Sequence, residues 1–153
     1  MAIDWDSWKF LLGEWAGEGE GDPGQGYGTF SFSFDLDQNI LVRKNHTVFP
    51  ASDKRAAFTH DDLLFVYHEL DGTTRAIYFD NEEHVIHYKA ELSADQKAVI
   101  FVSDPLPGVP QFRLTYQMKG DETLMTRFEM TPPGQADAFF VYLEGDSKRV
   151  SSK

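Results

Sequence analysis

The chain has 153 residues, 41% of them hydrophobic, which is enough for one domain around a single buried core. Lysine and arginine together number 14 against 25 aspartate and glutamate residues, and the formal net charge of −11 disfavours nucleic acids and anionic membrane surfaces as partners. The lack of cysteine in the sequence excludes disulfides, thiol catalysis and cysteine metal ligands.

The first residues resemble no targeting segment. Residues Met1 to Asp6 lack the basic region and the apolar run of a secretory signal, and no apolar stretch approaches the roughly 18 residues of a membrane-spanning helix. We therefore expect one domain over residues 1–153, located in the cytoplasm and not inserted in a membrane.

One short helix is predicted, near the N-terminus. Between Asp4 and Leu12, Trp5, Trp8 and Leu12 recur at three- and four-residue steps, and Asp4 or Asp6 would cap the helix.

The next segment alternates glycine with other residues. In a strand that ends at Gly21, Trp15 and the alternating glycines would share the inner face, whereas the glutamates would face water. An inner face without side chains either lets the strand bend sharply or leaves empty volume beside it.

The rest of the chain alternates apolar and polar residues over nine further segments that are separated by turn residues. The predicted strands are Thr29–Phe34, Ile40–Phe49, Leu63–Leu70, Thr73–Phe79, His84–Leu92, Lys97–Ser103, Phe112–Lys119, Thr123–Thr131 and Ala138–Leu143. Ten strands in succession predict an all-β fold, an antiparallel up-and-down (meander) barrel with a short N-terminal helix. We expect the glycine-rich segment Gly21–Gly28 to be a hairpin loop, and Pro50–His60, Asp104–Pro110 and Pro132–Asp137 to be loops that border a cavity mouth.

The hairpin turns predict which residues face each other, because a one-residue slip would turn every side chain to the other face. We place two-residue loops at Asp37-Gln38, Asp71-Gly72, Asn81-Glu82 and Ala94-Asp95. The resulting pairs are Phe32 with Arg43, Phe30 with Asn45, Val66 with Ile77, His68 with Arg75, Ile77 with Ile86, Arg75 with Tyr88, Tyr88 with Phe101 and Ala90 with Val99. On this pairing Ile77 and Phe79 face the interior, and Asp80 faces solvent.

A row of polar side chains falls on the predicted interior face. The candidates for ligand binding are Arg43, Asn45, His68, Arg75, His84, Tyr88 and Tyr116. A buried arginine is costly unless it is paired or solvated, and few acidic residues fall on this face, so we expect internal water or a ligand carboxylate beside the guanidinium groups. The alternative is that His68 and Arg75 lie near a barrel end and extend to solvent.

The sequence predicts no metal site and no catalytic residue set. His84 and His87 would face opposite sides of a strand, so they would not converge on one ion. No serine lies in a nucleophile-elbow motif.

A structural motif formed by Gly13, Trp15, Gly17 and Gly19 follows the predicted helix. This opening resembles that of the calycin group, which comprises lipocalins, fatty-acid-binding proteins and nitrobindins, and it is most similar to nitrobindin-like ten-stranded barrels. The resemblance implies a barrel that binds a small, largely apolar molecule. Nitrobindins bind haem through a histidine in the C-terminal part of the chain, but no histidine follows His87 here. We therefore expect no cofactor, and haem would need another axial ligand.

The sequence leaves three functional hypotheses open. The first is a binding protein, not an enzyme, that holds a small apolar or amphipathic ligand in its cavity, with an anionic group among the options. The second is an enzyme, through haem chemistry of the nitrobindin type or through acid–base catalysis by His68 or His84. The third is an interaction module with a vestigial cavity that forms a homodimer.

Overall fold

The computed structural model describes residues 4–21 and 26–151 as a closed barrel of ten antiparallel strands. Each strand pairs with its neighbours in the sequence, and the first pairs with the last. The strands are β1 Gly13–Gly21, β2 Gly26–Asp35, β3 Ile40–Phe49, β4 Phe58–His68, β5 Thr74–Asp80, β6 Val85–Leu92, β7 Ala98–Ser103, β8 Phe112–Gly120, β9 Thr123–Met130 and β10 Phe140–Ser151. The predicted all-β meander barrel is confirmed.

Three strands extend by three or more residues beyond their predicted ends. β4 begins at Phe58, within the segment predicted as a loop, because it stays paired with β3 as far as that residue. β10 continues past Leu143 to Ser151, and this second half pairs with β1 to close the barrel. β2 begins at Gly26, so residues 26–28 of the predicted Gly21–Gly28 loop belong to the strand instead, where they pair with β1 and β3. Residues 22–25 of that loop lie outside the described residues.

A 3₁₀ helix over Asp6–Leu11 closes one end of the barrel, where the sequence predicts a helix over Asp4–Leu12. Trp5, Trp8 and Leu11 are buried in the same core cluster as the side chains inside the barrel. The indole Nε1 of Trp5 donates a 2.8 Å hydrogen bond to the carbonyl of Gln38, in the turn between β2 and β3. The helix is therefore fixed to the barrel by both apolar burial and a hydrogen bond.

The glycines of β1 and β2 allow neighbouring strands to approach closely. Trp15 is fully buried, as its position on the inner face predicts. A Cβ atom on Gly17 would collide with the carbonyl oxygen of Asp146 on β10, and one on Gly28 would lie 2.9 Å from Thr47 Oγ1 on β3. Both glycines also line the cavity described below. The lack of a side chain therefore lets the neighbouring strands pack closely and leaves space inside the barrel.

The turn between β2 and β3 produces the predicted pairing. Phe32 lies opposite Arg43, and Phe30 lies opposite Asn45. The turn has four residues instead of two, with φ between 51° and 64° over residues 36–38. Its centre is unchanged, so the register is the predicted one.

Strand β5 is turned over relative to the prediction. Val66 pairs with Ala76 instead of Ile77, and Tyr88 also pairs with Ala76 instead of Arg75. The cause lies in the turns on either side of β5, residues 69–73 and 80–84, which each place an odd number of residues between paired strands. Left-handed residues accommodate the extra position, Gly72 at φ 91° and Glu83 at φ 70°.

Because both turns shift by one residue, only β5 changes face, and β4 and β6 keep the predicted one. Tyr78 and Asp80 face the interior, whereas Arg75, Ile77 and Phe79 face outward. The prediction is therefore wrong for Arg75, Ile77, Phe79 and Asp80. The register of β6 against β7 shifts by two residues, so that Tyr88 lies opposite Ser103 and Ala90 opposite Phe101, and the predicted faces are kept.

The two ends of the barrel are built differently. Trp8, Leu11 and Phe101 belong to the packed core at the end closed by the helix. The opposite end carries the turn 80–84 and the longer connections 50–57, 104–111 and 131–139. The space that the core does not fill lies toward this second end.

Candidate functional site

A cavity of about 790 Å³ lies inside the barrel, within the range of roughly 300–1,000 Å³ that is usual for small-molecule sites. Its apolar wall includes Phe30, Phe49, Phe58, Ile86, Phe112, Leu114, Phe128 and Met130. Arg55 and Val109, from two of the three segments predicted to border a mouth, also line it.

Arg43 carries the buried positive charge of the cavity. Its side chain is 4% exposed and forms an ion pair with Asp62, whose side chain is 5% exposed. Nη1 of Arg43 donates a 2.7 Å hydrogen bond to the Tyr116 hydroxyl, and the guanidinium carbon lies 5.9 Å from the centroid of the Tyr78 ring. The counter-ion of Arg43 is therefore a residue of the same chain, where the sequence predicts water or a ligand carboxylate.

Asp62 joins Arg43 to a second set of polar side chains. Asn45 Nδ2 donates to Asp62 Oδ2 at 3.0 Å, and His60 Nε2 lies 3.0 Å from the same oxygen. The other ring nitrogen of His60, Nδ1, lies 2.8 Å from Glu82 Oε1. These contacts stabilise a buried carboxylate that would otherwise be costly.

A hydrogen-bonded chain continues from Tyr78 to the rim. The Tyr78 hydroxyl donates to Asp80 Oδ2 at 2.9 Å and lies 2.9 Å from His60 Nε2. Asp80, whose side chain is 2% exposed, also accepts hydrogen bonds from the backbone N–H groups of Glu82 and His84 and from His84 Nδ1. Burial alone would raise the pKa of the Asp80 carboxyl, but these hydrogen bonds outweigh burial and hold the pKa below its ordinary value.

Two tyrosine hydroxyls of the cavity stay protonated at neutral pH. Burial raises the pKa of Tyr78 and of Tyr88 well above the ordinary value, and the nearby Arg43 guanidinium opposes this only in part. Both hydroxyls therefore keep their hydrogens, and Tyr78 donates its own to Asp80, whereas that of Tyr88 has no acceptor among the described residues.

The structure brings most of the predicted site together. Arg43, Asn45, His84, Tyr88 and Tyr116 all line the cavity, with His84 exposed at its rim. His68 also faces inward, but it lies at the closed end, where its ring is 4.2 Å from that of Trp5 and its Nδ1 is 2.7 Å from Thr74 Oγ1. The prediction for Arg75 is wrong, because β5 is turned over and Arg75 donates to Asp104 on the outer surface at 2.6 Å.

Among the polar cavity residues that the sequence prediction left out, four form one hydrogen-bonded network: His60, Asp62, Tyr78 and Asp80. A signal for the first two exists, since the alternation of β4 continued backward from Leu64 places Asp62 and His60 on the same face. Tyr78 and Asp80 are missed because the predicted two-residue turns put them on the outside.

The charges that line the cavity are mostly negative. Among the described lining residues, the guanidinium groups of Arg43 and Arg55 face four carboxylates. These carboxylates belong to Asp62, Asp80, Glu82 and Glu83. With neutral histidines the lining thus carries an excess of negative charge, which disfavours a free anion as ligand.

Within residues 4–21 and 26–151, no group of three or more histidine, aspartate or glutamate side chains is placed to hold a metal ion. In the same part of the chain no helix is both long and apolar enough to cross a membrane.

Comparison with known proteins identifies the fold. The chain is similar to the crystal structure of Rv2717c from M. tuberculosis, with a TM-score of 0.65 over 97% of this chain and 98% of that chain, at 14% sequence identity. No protein-family model matches the sequence, and neither does any curated protein. At this identity the similarity shows a shared barrel fold.

Proposed function

We propose that the barrel binds a small, largely apolar molecule with one polar end, and that it acts as a binding protein. The observation that carries the proposal is the cavity of about 790 Å³, whose aromatic wall faces a buried cluster of hydrogen-bonding side chains. The wall would take the apolar body of the ligand, and the cluster around Arg43 would fix its orientation.

The pairing inside the cluster favours binding over catalysis. Arg43 is neutralised by Asp62, and His60 has both ring nitrogens within hydrogen-bond distance of other side chains. Of the two histidines predicted for acid–base catalysis, His68 does not line the cavity and His84 lies at its rim. Groups that hydrogen-bond to one another in this way are suited to fix the orientation of a ligand.

Titration of the purified protein with the neutral dye Nile red, followed by its fluorescence, tests this proposal. We expect saturable binding with the blue-shifted emission of an apolar environment. Native mass spectrometry of the protein from its own host would in addition detect a retained molecule.

Substitutions on β8 separate the cavity from the outer surface. Leu114→Trp would place a larger side chain in the cavity and weaken dye binding, whereas Gln117→Trp, on the exposed face of the same strand, would leave it unchanged. Circular dichroism would check that both variants fold. Equal dye affinity in Leu114→Trp and the wild type would rule out the cavity as the binding site.

Haem is the second candidate, and one observation favours it. His84 Nδ1 lies 2.8 Å from the buried Asp80 carboxylate, the arrangement that orients histidine ligands of metals, and Nε2 remains available at the cavity rim. When bound, haem would supply iron for binding small gaseous ligands or for redox chemistry. The negative lining, to which the two propionates of haem would add charge, makes this the weaker candidate.

Absorption spectra with added haemin decide between the candidates. Bound haem would give a sharp Soret band that His84→Ala removes and that His87→Ala, on the outer face of β6, retains. A spectrum identical to that of free haemin would eliminate the haem candidate and leave the first proposal intact.

A further inference from the structure

Three buried polar atoms on residues that line the cavity have no hydrogen-bond partner among the described residues. They are Arg43 Nε, the Tyr88 hydroxyl and Thr126 Oγ1. A buried polar group without a partner costs about 1–3 kcal/mol, and such groups are rare in folded proteins. Three of them on residues that line one cavity favour a polar ligand atom as their missing partner.

These atoms belong to one cluster that also contains Tyr116. Arg43 Nη1 donates to the Tyr116 hydroxyl at 2.7 Å, and Thr126 is the cross-strand partner of Tyr116. Burial raises the pKa of Tyr88, and Arg43 and Tyr116 are close enough to modulate it. Side chains from β3, β6, β8 and β9 line the same cavity.

The cluster offers hydrogen atoms more readily than lone pairs. Arg43 Nε–H is a donor only, and the Tyr116 hydroxyl, which already accepts from Arg43, has its own hydrogen left to donate. Tyr88 and Thr126 add two further hydroxyl donors. The matching ligand atom is an oxygen acceptor.

The charge balance selects among oxygen acceptors. Asp62 already neutralises Arg43, and Asp80, Glu82 and Glu83 line the same cavity. A carboxylate ligand would face this negative lining, whereas an uncharged carbonyl would receive the hydrogen bonds without adding charge.

We propose that Arg43, Tyr88, Tyr116 and Thr126 form a donor cluster that binds the carbonyl oxygen of an uncharged ketone, ester or amide whose apolar part lies against the aromatic wall. The inference rests on the proposed function, since it specifies the ligand class of that cavity.

Calorimetric titration with three probes of similar shape tests the donor cluster. The probes are para-butylacetophenone, para-butylbenzoate and butylbenzene, which present a ketone, a carboxylate and no oxygen. We expect the wild type to bind the ketone about tenfold more tightly than butylbenzene, and more tightly than the benzoate at neutral pH.

Variants identify the donors. Tyr88→Phe and Thr126→Val each remove one hydroxyl, and we expect each to weaken ketone binding about three- to tenfold while butylbenzene binding stays the same. Thr115→Val, the same change on the outer face of β8, is the matched control and should change neither affinity. The two hydroxyl variants are independent, so failure of one to fold leaves the other as a test.

Each remaining outcome overturns the inference in a recognisable way. Equal affinity for the ketone and butylbenzene would mean that the donors bind water only, and tighter binding of the benzoate would make the cluster an anion site. If Nile red binds and none of the three probes does, the proposed donor cluster is refuted and the proposed function is still supported. If Nile red does not bind either, both the donor cluster and the proposed function are refuted.

Discussion

The Arg43–Asp62 ion pair provides a quantitative test of how the interior is stabilised. Both side chains are about as buried as a core residue, at 4% and 5% exposure. Arg43→Met leaves a buried carboxylate without its counter-ion, and Asp62→Asn leaves a buried guanidinium. Removing one partner of such a pair costs about 3–5 kcal/mol, whereas removing both together is often close to neutral. We therefore expect the double variant to be no less stable than either single variant.

Urea unfolding measures these differences through Trp5, Trp8 and Trp15, which are all buried. With a slope of about 2 kcal/mol per molar urea, each single variant should lower the unfolding midpoint by roughly 2 M. The matched control is Arg127→Met with Glu144→Gln, a pair on the outer surface whose side chains are 40% and 44% exposed. Its coupling energy should be about 1 kcal/mol or less. If the effects at Arg43 and Asp62 instead add within about 0.5 kcal/mol, the two groups do not act as a pair and the reasoning is refuted.

Three further predictions concern groups outside that pair. Burial lowers the pKa of His68 from 6.5, and Asp4 opposes this only in part, so the folded state favours the neutral form. Thermal stability should therefore fall as the pH drops from about 7 to about 5. His68→Phe should remove much of this decline, whereas His87→Phe should not. The pKa of Asp80 is lowered from 3.8, so its carboxylate stabilises the fold at pH values above 3.8, and this stability is lost as the pH falls through the folded-state pKa. Asp80→Asn should lower the free energy of unfolding in urea by about 1–3 kcal/mol at neutral pH and flatten the acid unfolding curve. Arg149 donates to the carbonyl groups at positions 10 and 12, and its guanidinium carbon lies 4.3 Å from the centre of the Trp15 ring. Arg149→Met should therefore lower the free energy of unfolding in urea by about 2–4 kcal/mol, and Arg149→Lys should not restore it. Unchanged unfolding midpoints would show that this contact does not hold the N-terminal segment against the barrel.

The hairpin turns explain which strand registers the sequence predicted correctly and which it did not. The turn between β2 and β3 and the turns beside β5 are the contrasting cases. Asp37-Gln38 gave the correct pairing of Phe32 with Arg43, although the turn holds four residues, because adding one residue on each side leaves the register unchanged. At Asp71-Gly72 the left-handed Gly72 occupies a bulge position, which adds one residue and turns the following strand over. Both turns contain residues with positive φ, and composition alone does not distinguish an even loop from an odd one.

The same limit decided which site residues were found. Arg43, Asn45, Tyr88 and Tyr116 lie on strands whose face was predicted correctly, and all four line the cavity. Arg75 was assigned to the site and Asp80 was left out of it because of one strand's orientation.

The sequence by itself determined the number of strands, their order and the alternation that gives the barrel an apolar interior, because these depend on local patterns of two to ten residues. Only the tertiary structure decided what neutralises Arg43. Its partner Asp62 lies on the next strand, and the surrounding hydroxyls come from β5, β6, β8 and β9, so their meeting depends on register and barrel closure. That arrangement favours the proposed ligand with an uncharged oxygen over the anionic option that the sequence left open, because the chain itself supplies the negative charge beside Arg43.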